Sequence, residues 1–313
     1  MSSSKQQMIV RAAGAAAVSA ALWTAVAAYA QSMEPAHIVA PGLLSVAAPA
    51  AMPAATPAIV TPHAKIPAPG AASANAAPPA ACGAPKELAH LDLPLSRTAR
   101  RLASGEPLTT VAIGSSSTAG AGASAPDASY PSRLALELKR RFPVDDITVL
   151  NRGVNGEETE NMMARFPTGV FAAHPQLVLW QVGTNSVLRD RPLGTHAAQL
   201  EEGIDELKAT GTDVVLIDPQ YSPKVLAKSE TLEMVDQIAL IAKEKNVDLF
   251  HRFAAMRDWH EVQHLPFDVF VSPDGLHMND WGYACWAKIL AKAIAEAATR
   301  PVASAAAHAH SAR

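Results

Sequence analysis

The chain has 313 residues, 49% of them hydrophobic, and its formal net charge is −3 with a pI of about 6.4. Such a balance, without a block of basic residues, excludes the electrostatic surface by which proteins bind nucleic acid or an anionic membrane. The length allows more than one domain, so the organisation has to be inferred from the patterns along the chain.

The first thirty residues have the layout of a signal peptide. Lys5 and Arg11 precede an apolar, Ala-rich stretch over 12–27, and Ala28-Tyr29-Ala30 offers a small-x-small cleavage site. The alternative is an uncleaved membrane anchor, because the stretch is about long enough to span a bilayer. We therefore expect a periplasmic or secreted protein, or a membrane-anchored one if the segment is retained.

A Pro- and Ala-rich segment follows over 31–85 and contains eleven of the 24 prolines of the chain. Proline removes hydrogen-bond donors and interrupts regular helix, so this composition predicts an extended, disordered linker. The tail 302–313 is also of low complexity and predicted to be disordered. One folded domain is expected between these segments, at 86–301.

The chain has two cysteines, Cys82 at the end of the linker and Cys285 near the end of the domain. Disulfides persist in exported proteins, so we predict a bridge that pins the start of the domain to its last helix. Two unpaired thiols are the alternative.

Within 86–301, short apolar strands alternate with helices in chain order. Strands are predicted at 108–113, 147–150, 177–182, 213–217 and 247–250, and helices at 130–142, 195–208, 230–246 and 280–297. Continuous apolar strands separated by helices indicate a parallel sheet that is covered on both faces. The predicted fold is therefore a three-layer α/β/α sandwich around a mostly parallel, five-stranded sheet.

Polar segments that carry reactive groups follow three of these strands, and a fourth precedes the last helix. They are Gly114-Ser115-Ser116-Ser117, the segment 151–156, the segment 183–186, and Asp274-Gly275-Leu276-His277. Ligand sites of open α/β sheets form at the carboxyl ends of the strands. We therefore expect these four segments to meet at one rim of the sheet.

With these four blocks in this order, the domain resembles the SGNH (or GDSL) hydrolases, whose sheet is flavodoxin-like. Gly114-Ser115-Ser116 matches the strand-one block, Gly156 the second, and Gly183-Thr184-Asn185 the third. Asp274 and His277 match the final Asp-x-x-His block. Two family aspartates are replaced, by Ser115 and by Ser186.

The resemblance implies a Ser-His-Asp triad in which Ser116 is the nucleophile, His277 the base and Asp274 the group that orients the imidazole. A serine hydroxyl needs such a base, and the attack creates an oxyanion that needs donors. The implied donors are the N–H groups of Ser116 and Gly156 and the amide of Asn185. No metal and no organic cofactor is implied.

Several of these residues also have a purely structural explanation. Ser115 and Ser117 are interpreted as helix-capping serines, Gly156 is also typical of a turn, and Asn185 of a helix N-cap. Tyr221 follows the fourth strand and is a candidate substrate contact or a packing residue. Phosphate-loop and dinucleotide motifs are absent from the sequence.

A cluster of histidines, His251, His260 and His264, lies near Asp258 and Glu261 and is interpreted as a solvated surface, with a metal site as the less favoured alternative. The tryptophans of the last predicted helix, Trp281 and Trp286, are expected to pack against the sheet.

Taken with the resemblance, the sequence predicts an exported serine esterase that acts through an acyl-enzyme, with O-acetyl groups on a glycan as the favoured substrate. The open alternatives are a lysophospholipase or lipase, an acyltransferase with the same triad, and a non-catalytic glycan-binding module. The expected partner is the ester substrate, an acylated glycan or lipid. Neither nucleic acid nor a stable protein partner is expected.

Overall fold

Five parallel strands form one sheet in the order β2-β1-β3-β4-β5. The strands are β1 (Leu108–Gly114), β2 (Ile147–Gly153), β3 (Leu177–Gln181), β4 (Asp213–Ile217) and β5 (Asp248–Phe250). The computed structural model describes residues 81–300, so the predicted signal peptide, most of the linker and the predicted tail lie outside the described residues. The strand order changes direction at β1, whose neighbours are β2 and β3, and such a switch point is where α/β sheets bind ligands.

Helices cover both faces of the sheet. They are α1 (Ser96–Ser104), α2 (Ser116–Ala119), α3 (Tyr130–Arg141), α4 (Thr159–Ala164), α5 (Phe166–Gly169), α6 (Thr184–Leu188), α7 (Leu193–Ala209), α8 (Pro223–Leu226), α9 (Thr231–Glu244), α10 (Arg252–Arg257) and α11 (Asp280–Thr299). The predicted three-layer α/β/α sandwich with a five-stranded sheet is confirmed. Among residues 81–300, no helix combines the length and apolar character needed to cross a membrane.

Alternate residues of the strands supply two separate cores, because successive side chains of a strand point to opposite faces. In β3, Leu177 and Leu179 pack with α3, α10 and α11, whereas Val178 and Trp180 pack with α4, α7 and α9. Both sets are fully buried. This double burial explains why the strands are continuous apolar runs instead of alternating ones.

The second strand is longer than its predicted span of 147–150. It continues through Gly153 because Asn151, Arg152 and Gly153 pair with Ala112 to Gly114 of β1. The hydrogen bonds of the neighbouring strand therefore extend the ladder into residues whose side chains are typical of a loop. The carboxyl ends of β1 and β2 consequently lie level with each other.

The N-terminal segment of the described chain is fixed to α11. Cys82 and Cys285 form the predicted disulfide, and the carbonyl of Gly83 accepts a hydrogen bond of 2.7 Å from the indole of Trp259. Cys285 is buried on α11, which begins three residues after His277. The bridge thus joins the start of the domain to the helix that follows one of the predicted site segments.

Candidate active site

Ser116 lies in a sharp turn between β1 and the short helix α2, of which it is the first residue. The turn brings the chain very close to itself at Gly114, where an added Cβ would lie 2.2 Å from Thr118 Oγ1. Glycine is therefore required at the end of β1. The turn presents the Ser116 hydroxyl at the carboxyl edge of the sheet.

His277 and Asp274 reach this hydroxyl from the segment before α11. The distance from Ser116 Oγ to His277 Nε2 is 2.8 Å, and that from His277 Nδ1 to Asp274 Oδ2 is 2.5 Å. The His277 side chain is 15% exposed, so the imidazole is held within the protein with its edge toward solvent. The three side chains form a continuous hydrogen-bonded chain from carboxylate to hydroxyl.

Asp274 is stabilised as a carboxylate by its own loop. Its Oδ1 accepts hydrogen bonds from Ser272 Oγ at 2.7 Å and from the N–H groups of Leu276 and His277 at 2.8 and 2.9 Å. Burial raises the pKa of this carboxyl, but the hydrogen bonds from His277 and these loop groups outweigh it and hold the pKa well below its usual range. A charged Asp274 fixes the proton of the imidazole on Nδ1 and leaves Nε2 free to accept the proton of Ser116.

Hydrogen bonds join the loop that follows Ser116 to the start of the helix that follows His277. Asp280, at the start of α11, accepts hydrogen bonds from the N–H group of Ser124 at 2.8 Å and from its hydroxyl at 2.5 Å. A Cβ added at Gly122 would lie 2.8 Å from the Cβ of His277. The close approach at this glycine places the imidazole against the segment that follows Ser116.

The predicted oxyanion donors are the N–H groups of Ser116 and Gly156 and the side-chain amide of Asn185. Among residues 81–300, the N–H groups of Ser116 and Gly156 have no hydrogen-bond acceptor. Gly156 has φ of +80°, a conformation that favours glycine. Asn185 Nδ2 donates to the Glu157 carbonyl at 2.7 Å, and because an amide has two N–H groups, the second one is left for a ligand.

The side chains of Asn185, Ser115 and Ser117 do not cap helices. Gly183 is the N-cap of α6, and Asn185 lies inside that helix. Ser115 occupies the N-cap position of α2 but its hydroxyl makes no capping hydrogen bond. The capping interpretation of these residues is therefore wrong, because other polar partners lie closer to their side chains.

Those partners form a buried polar network beneath Ser116. Ser115 Oγ donates to Gln181 Oε1 at 3.0 Å, and Ser117 Oγ and Arg252 both donate to Gln220 Oε1, at 3.4 and 3.0 Å. Sequence reasoning missed this network, although a glutamine that ends an apolar strand was a signal.

Arg252 and Asp218 bring two fully buried ionisable groups to this network. The Arg252 guanidinium donates to the Asp218 carbonyl at 2.6 Å and stacks over the Trp286 ring, 4.9 Å from its centroid. The Asp218 carboxylate accepts from the Phe253 N–H at 2.8 Å. Burial raises the pKa of Asp218 to about 7 and lowers that of Arg252 to about 10.

A second arginine, Arg165 of the α4–α5 junction, holds the segment that carries Gly156. Its guanidinium donates to the Arg152 carbonyl and to the Glu157 carboxylate, both at 2.6 Å, and to the Gly114 carbonyl at 3.4 Å. These acceptors belong to the ends of β1 and β2 and to the loop after β2. Nothing in the spacing of the sequence singled out Arg165.

Tyr221, predicted as either a substrate contact or a packing residue, is packed within the structure. It is 7% exposed, and its hydroxyl donates to Glu261 Oε1 at 2.7 Å. Its ring packs against Phe253 and Phe267. Burial and the hydrogen bond to Glu261 raise the pKa of Tyr221 to about 12, so this tyrosine stays neutral.

The histidines of the 251–264 region do not converge. The His260 ring stacks on Phe267 at 4.0 Å and its Nδ1 lies 2.9 Å from the Leu265 carbonyl. His251 lies at the start of α10, half-buried. Within residues 81–300, no group of three or more His, Cys, Asp or Glu side chains is placed to hold a metal ion.

The tryptophans of α11 are packed within the protein. Trp286 is buried with its ring centroid 3.9 Å from that of Tyr130, and Trp281 packs on Trp259.

Comparison with known sequences gives two matches. The model of a family described as the non-GDSL lipase-like family matches residues 81–300. An arylesterase from Vibrio mimicus is 33% identical over 78 residues, which are 25% of this chain and 39% of the arylesterase.

Solved structures share the fold at low sequence identity. A two-domain esterase active on acetylated mannans is 19% identical with a TM-score of 0.59, over 68% of this chain and 56% of that chain. An acetylxylan esterase from Geobacillus stearothermophilus is 21% identical with a TM-score of 0.52, over 60% of this chain and 94% of that one. The chain thus spans less than two thirds of the arylesterase and of the two-domain esterase.

Proposed function

The chain belongs to the non-GDSL lipase-like family, and from this premise we propose that it is a carboxylic ester hydrolase that uses Ser116 as its nucleophile. One observation carries the proposal: the unbroken hydrogen-bonded chain from Asp274 through His277 to Ser116. Such an arrangement activates a hydroxyl that is otherwise a weak nucleophile. The SGNH type of mechanism adds Gly156 and Asn185 to these three residues, as oxyanion donors.

In the proposed mechanism, Ser116 Oγ attacks the ester carbonyl carbon while His277 Nε2 takes the hydroxyl proton. The carbonyl oxygen becomes an oxyanion, which the N–H groups of Ser116 and Gly156 and the free N–H of Asn185 stabilise. His277 then gives its proton to the leaving alcohol, and an acyl group remains on Ser116. Water repeats the sequence, with His277 as base again, and releases the carboxylic acid.

Asp274 acts on the imidazole alone in this scheme. Its hydrogen bonds from the loop keep it charged, so it offsets the positive charge that His277 acquires during attack. A neutral group at this position would leave the imidazolium uncompensated. Asp274 is therefore expected to affect turnover more than substrate binding.

Acetyl groups on a glycan are the substrate that we propose. The similar structures are of an esterase active on acetylated mannans and of an acetylxylan esterase, and they share the sandwich that positions Ser116 here. The predicted signal peptide and the disulfide support an exported protein that meets such glycans outside the cytoplasm.

The proposal is tested by hydrolysis of p-nitrophenyl acetate, butyrate and octanoate by the full-length protein and by its Ser116→Ala variant. Ser115→Ala and Ser117→Ala serve as matched controls because they remove a hydroxyl one residue away. We expect measurable turnover in both controls, loss of turnover in Ser116→Ala, and a preference for acetate. A folded parent that cleaves none of these esters would reject the esterase, and a preference for octanoate would favour the lipase.

A further inference from the structure

A cleft of about 280 Å³ opens at the rim of the sheet between the start of α4 and the start of α7. Glu158, Glu160 and Asn161 line it on the α4 side, and His196 and Gln199 line it on the α7 side. Because both helices begin at the carboxyl ends of strands, the cleft lies on the same edge of the sheet as Ser116. Neither the triad nor the oxyanion donors account for it.

The cleft adjoins the predicted oxyanion donors. Glu158 follows Gly156 by two residues, and Ser186, which lines the cleft, follows Asn185 directly. Arg189 bridges the two regions, because one of its nitrogens lies 3.4 Å from the position of a Cβ at Gly156 while another donates to Glu158 at 2.7 Å. When the carbonyl of a bound ester points to Gly156, either the acyl half or the alcohol half of that ester therefore lies next to this cleft.

The lining is polar and its charges are balanced. Among the described residues that line it, Pro192 is the one apolar side chain. Glu158 pairs with both Arg189 and Arg191, and Glu160 lies on the same side of the cleft. Two carboxylates thus stand beside two guanidinium groups, so the local charge selects neither an anion nor a cation. A fatty acyl chain would gain little by leaving water for such a cleft, whereas hydroxyl groups would find donors and acceptors side by side.

The wall of the cleft contains a buried group that lacks a partner. His196 is 2% exposed, and its Nδ1 lies 3.3 Å from Gln237 Oε1. An amide oxygen only accepts, so Nδ1 carries the proton and Nε2 is an acceptor, which has no donor among residues 81–300. Burial lowers the pKa of His196, so the ring stays neutral. A neutral imidazole acceptor suits a hydroxyl donor.

Two side chains reach across the opening of the cleft. Gln199 Nε2 of α7 lies 3.4 Å from Glu160 Oε2 of α4. This long hydrogen bond joins the α4 side of the cleft to its α7 side. A bound hydroxyl could replace it, since the amide offers a donor and the carboxylate an acceptor.

We propose that this cleft is the subsite for the alcohol half of the ester and that the alcohol is a neutral sugar unit, bound through Glu160 and Gln199. The inference rests on the proposed esterase function and adds to it the place where the sugar binds and the residues that select it. It also separates a glycan substrate from a lipid one by the polarity of the lining.

The test compares the full-length protein with its Gln199→Ala and Glu160→Gln variants. Acetylated xylo-oligosaccharides and manno-oligosaccharides are the sugar esters, and p-nitrophenyl acetate is the ester without a sugar. Glu206→Gln is the matched control, because Glu206 is exposed on α7 away from the cleft. For each variant, the ratio of kcat/KM on the sugar ester to kcat/KM on p-nitrophenyl acetate is measured, together with thermal unfolding.

We expect this ratio to fall about tenfold in Gln199→Ala and in Glu160→Gln, through a higher KM on the sugar ester, and to stay at the parental value in Glu206→Gln. An unchanged ratio in both cleft variants would overturn the subsite. A parent that cleaves p-nitrophenyl acetate but neither sugar ester would overturn it too and leave the esterase standing. A folded parent inert on every ester would reject the proposed function itself.

Discussion

At the scale of single residues, the groups around Ser116 divide into those that would contact the reacting ester and those that hold them in place. Ser116 and His277 belong to the first set as the proposed nucleophile and base, and Gly156 and Asn185 belong to it as proposed oxyanion donors. Asp274 belongs to the second, because its carboxylate oxygens are engaged by His277 and by its own loop. Removing a member of the first set should therefore reduce turnover without unfolding the protein.

Asn185 allows the clearest test of a single proposed oxyanion donor. Asn185→Ala removes the donor proposed for the oxyanion, and losing one such donor typically lowers the rate about a hundred- to a thousand-fold. We expect that loss in kcat on p-nitrophenyl acetate with a normal unfolding transition. Asn155→Ala is the control, since Asn155 is exposed on the neighbouring loop. Near-normal turnover in Asn185→Ala would remove Asn185 from the oxyanion site.

Asp218 connects the buried network to the stability of the protein. Its folded-state pKa of about 7 lies above the ordinary value, so the folded state holds the proton more tightly than the unfolded state does. The stabilisation is complete at pH values below the unfolded pKa and is lost as the pH rises through about 7. Between pH 5 and 8 this loss amounts to about 2–3 kcal/mol of unfolding free energy.

Asp218→Asn keeps the acceptor for the Phe253 N–H and stays neutral at every pH. We expect the variant to lose this pH-dependent contribution and to exceed the wild type in stability at pH 8, as measured by urea unfolding at several pH values. Asp236→Asn, at an exposed carboxylate of α9, should follow the wild-type curve. Parallel curves for the wild type and Asp218→Asn would show that Asp218 is charged throughout this range.

At the scale of elements, the loop between β2 and α4 depends on Arg165. This side chain joins the loop to the ends of two strands, and its partner Glu157 also provides the carbonyl that orients Asn185. Arg165→Met keeps the apolar stem but removes all of these donors. The positions of Gly156 and Asn185 should become less well defined as a result.

We expect Arg165→Met to lower kcat about tenfold while KM changes little, since misplaced donors affect the transition state more than substrate binding. Steady-state kinetics on p-nitrophenyl acetate measures both values. Arg152→Met is the control, because the exposed Arg152 side chain makes one hydrogen bond of 3.3 Å to the Gly169 carbonyl. An unchanged kcat in a less stable Arg165→Met protein would limit Arg165 to a structural role.

The strands and long helices were predictable from the sequence because apolar periodicity is a local signal. The end of β2 was not, since residues 151–153 are polar and join the ladder only because β1 lies beside them. Motif order also indicated that Ser116 and the Asp274–His277 pair belong together, and their side chains are hydrogen-bonded to one another. The role of Tyr221 stayed open in the sequence because its packing depends on Glu261 and Phe267, which lie about forty residues away. Contacts of this kind leave no periodic pattern.

At the scale of the whole molecule, the disulfide closes the folded domain on itself. Cys82 and Cys285 are 203 residues apart, so the bridge removes much of the conformational freedom of the unfolded chain. The double variant Cys82→Ala/Cys285→Ala should lose about 2–5 kcal/mol of unfolding free energy. Urea unfolding measures this loss. The folded variant should retain its esterase kinetics, because the hydrogen bonds that link the triad involve neither cysteine. Equal stability of the two proteins would contradict this account.

The most direct test of the account is the identity of the nucleophile. The full-length protein is treated with a fluorophosphonate, which reacts with activated serines, and the modified peptide is mapped by mass spectrometry. We predict one label on Ser116, no label in Ser116→Ala, and greatly slowed labelling in His277→Ala. A label on Ser115 or Ser117, or the absence of any label on the folded protein, would contradict the proposal that Ser116 is activated by His277.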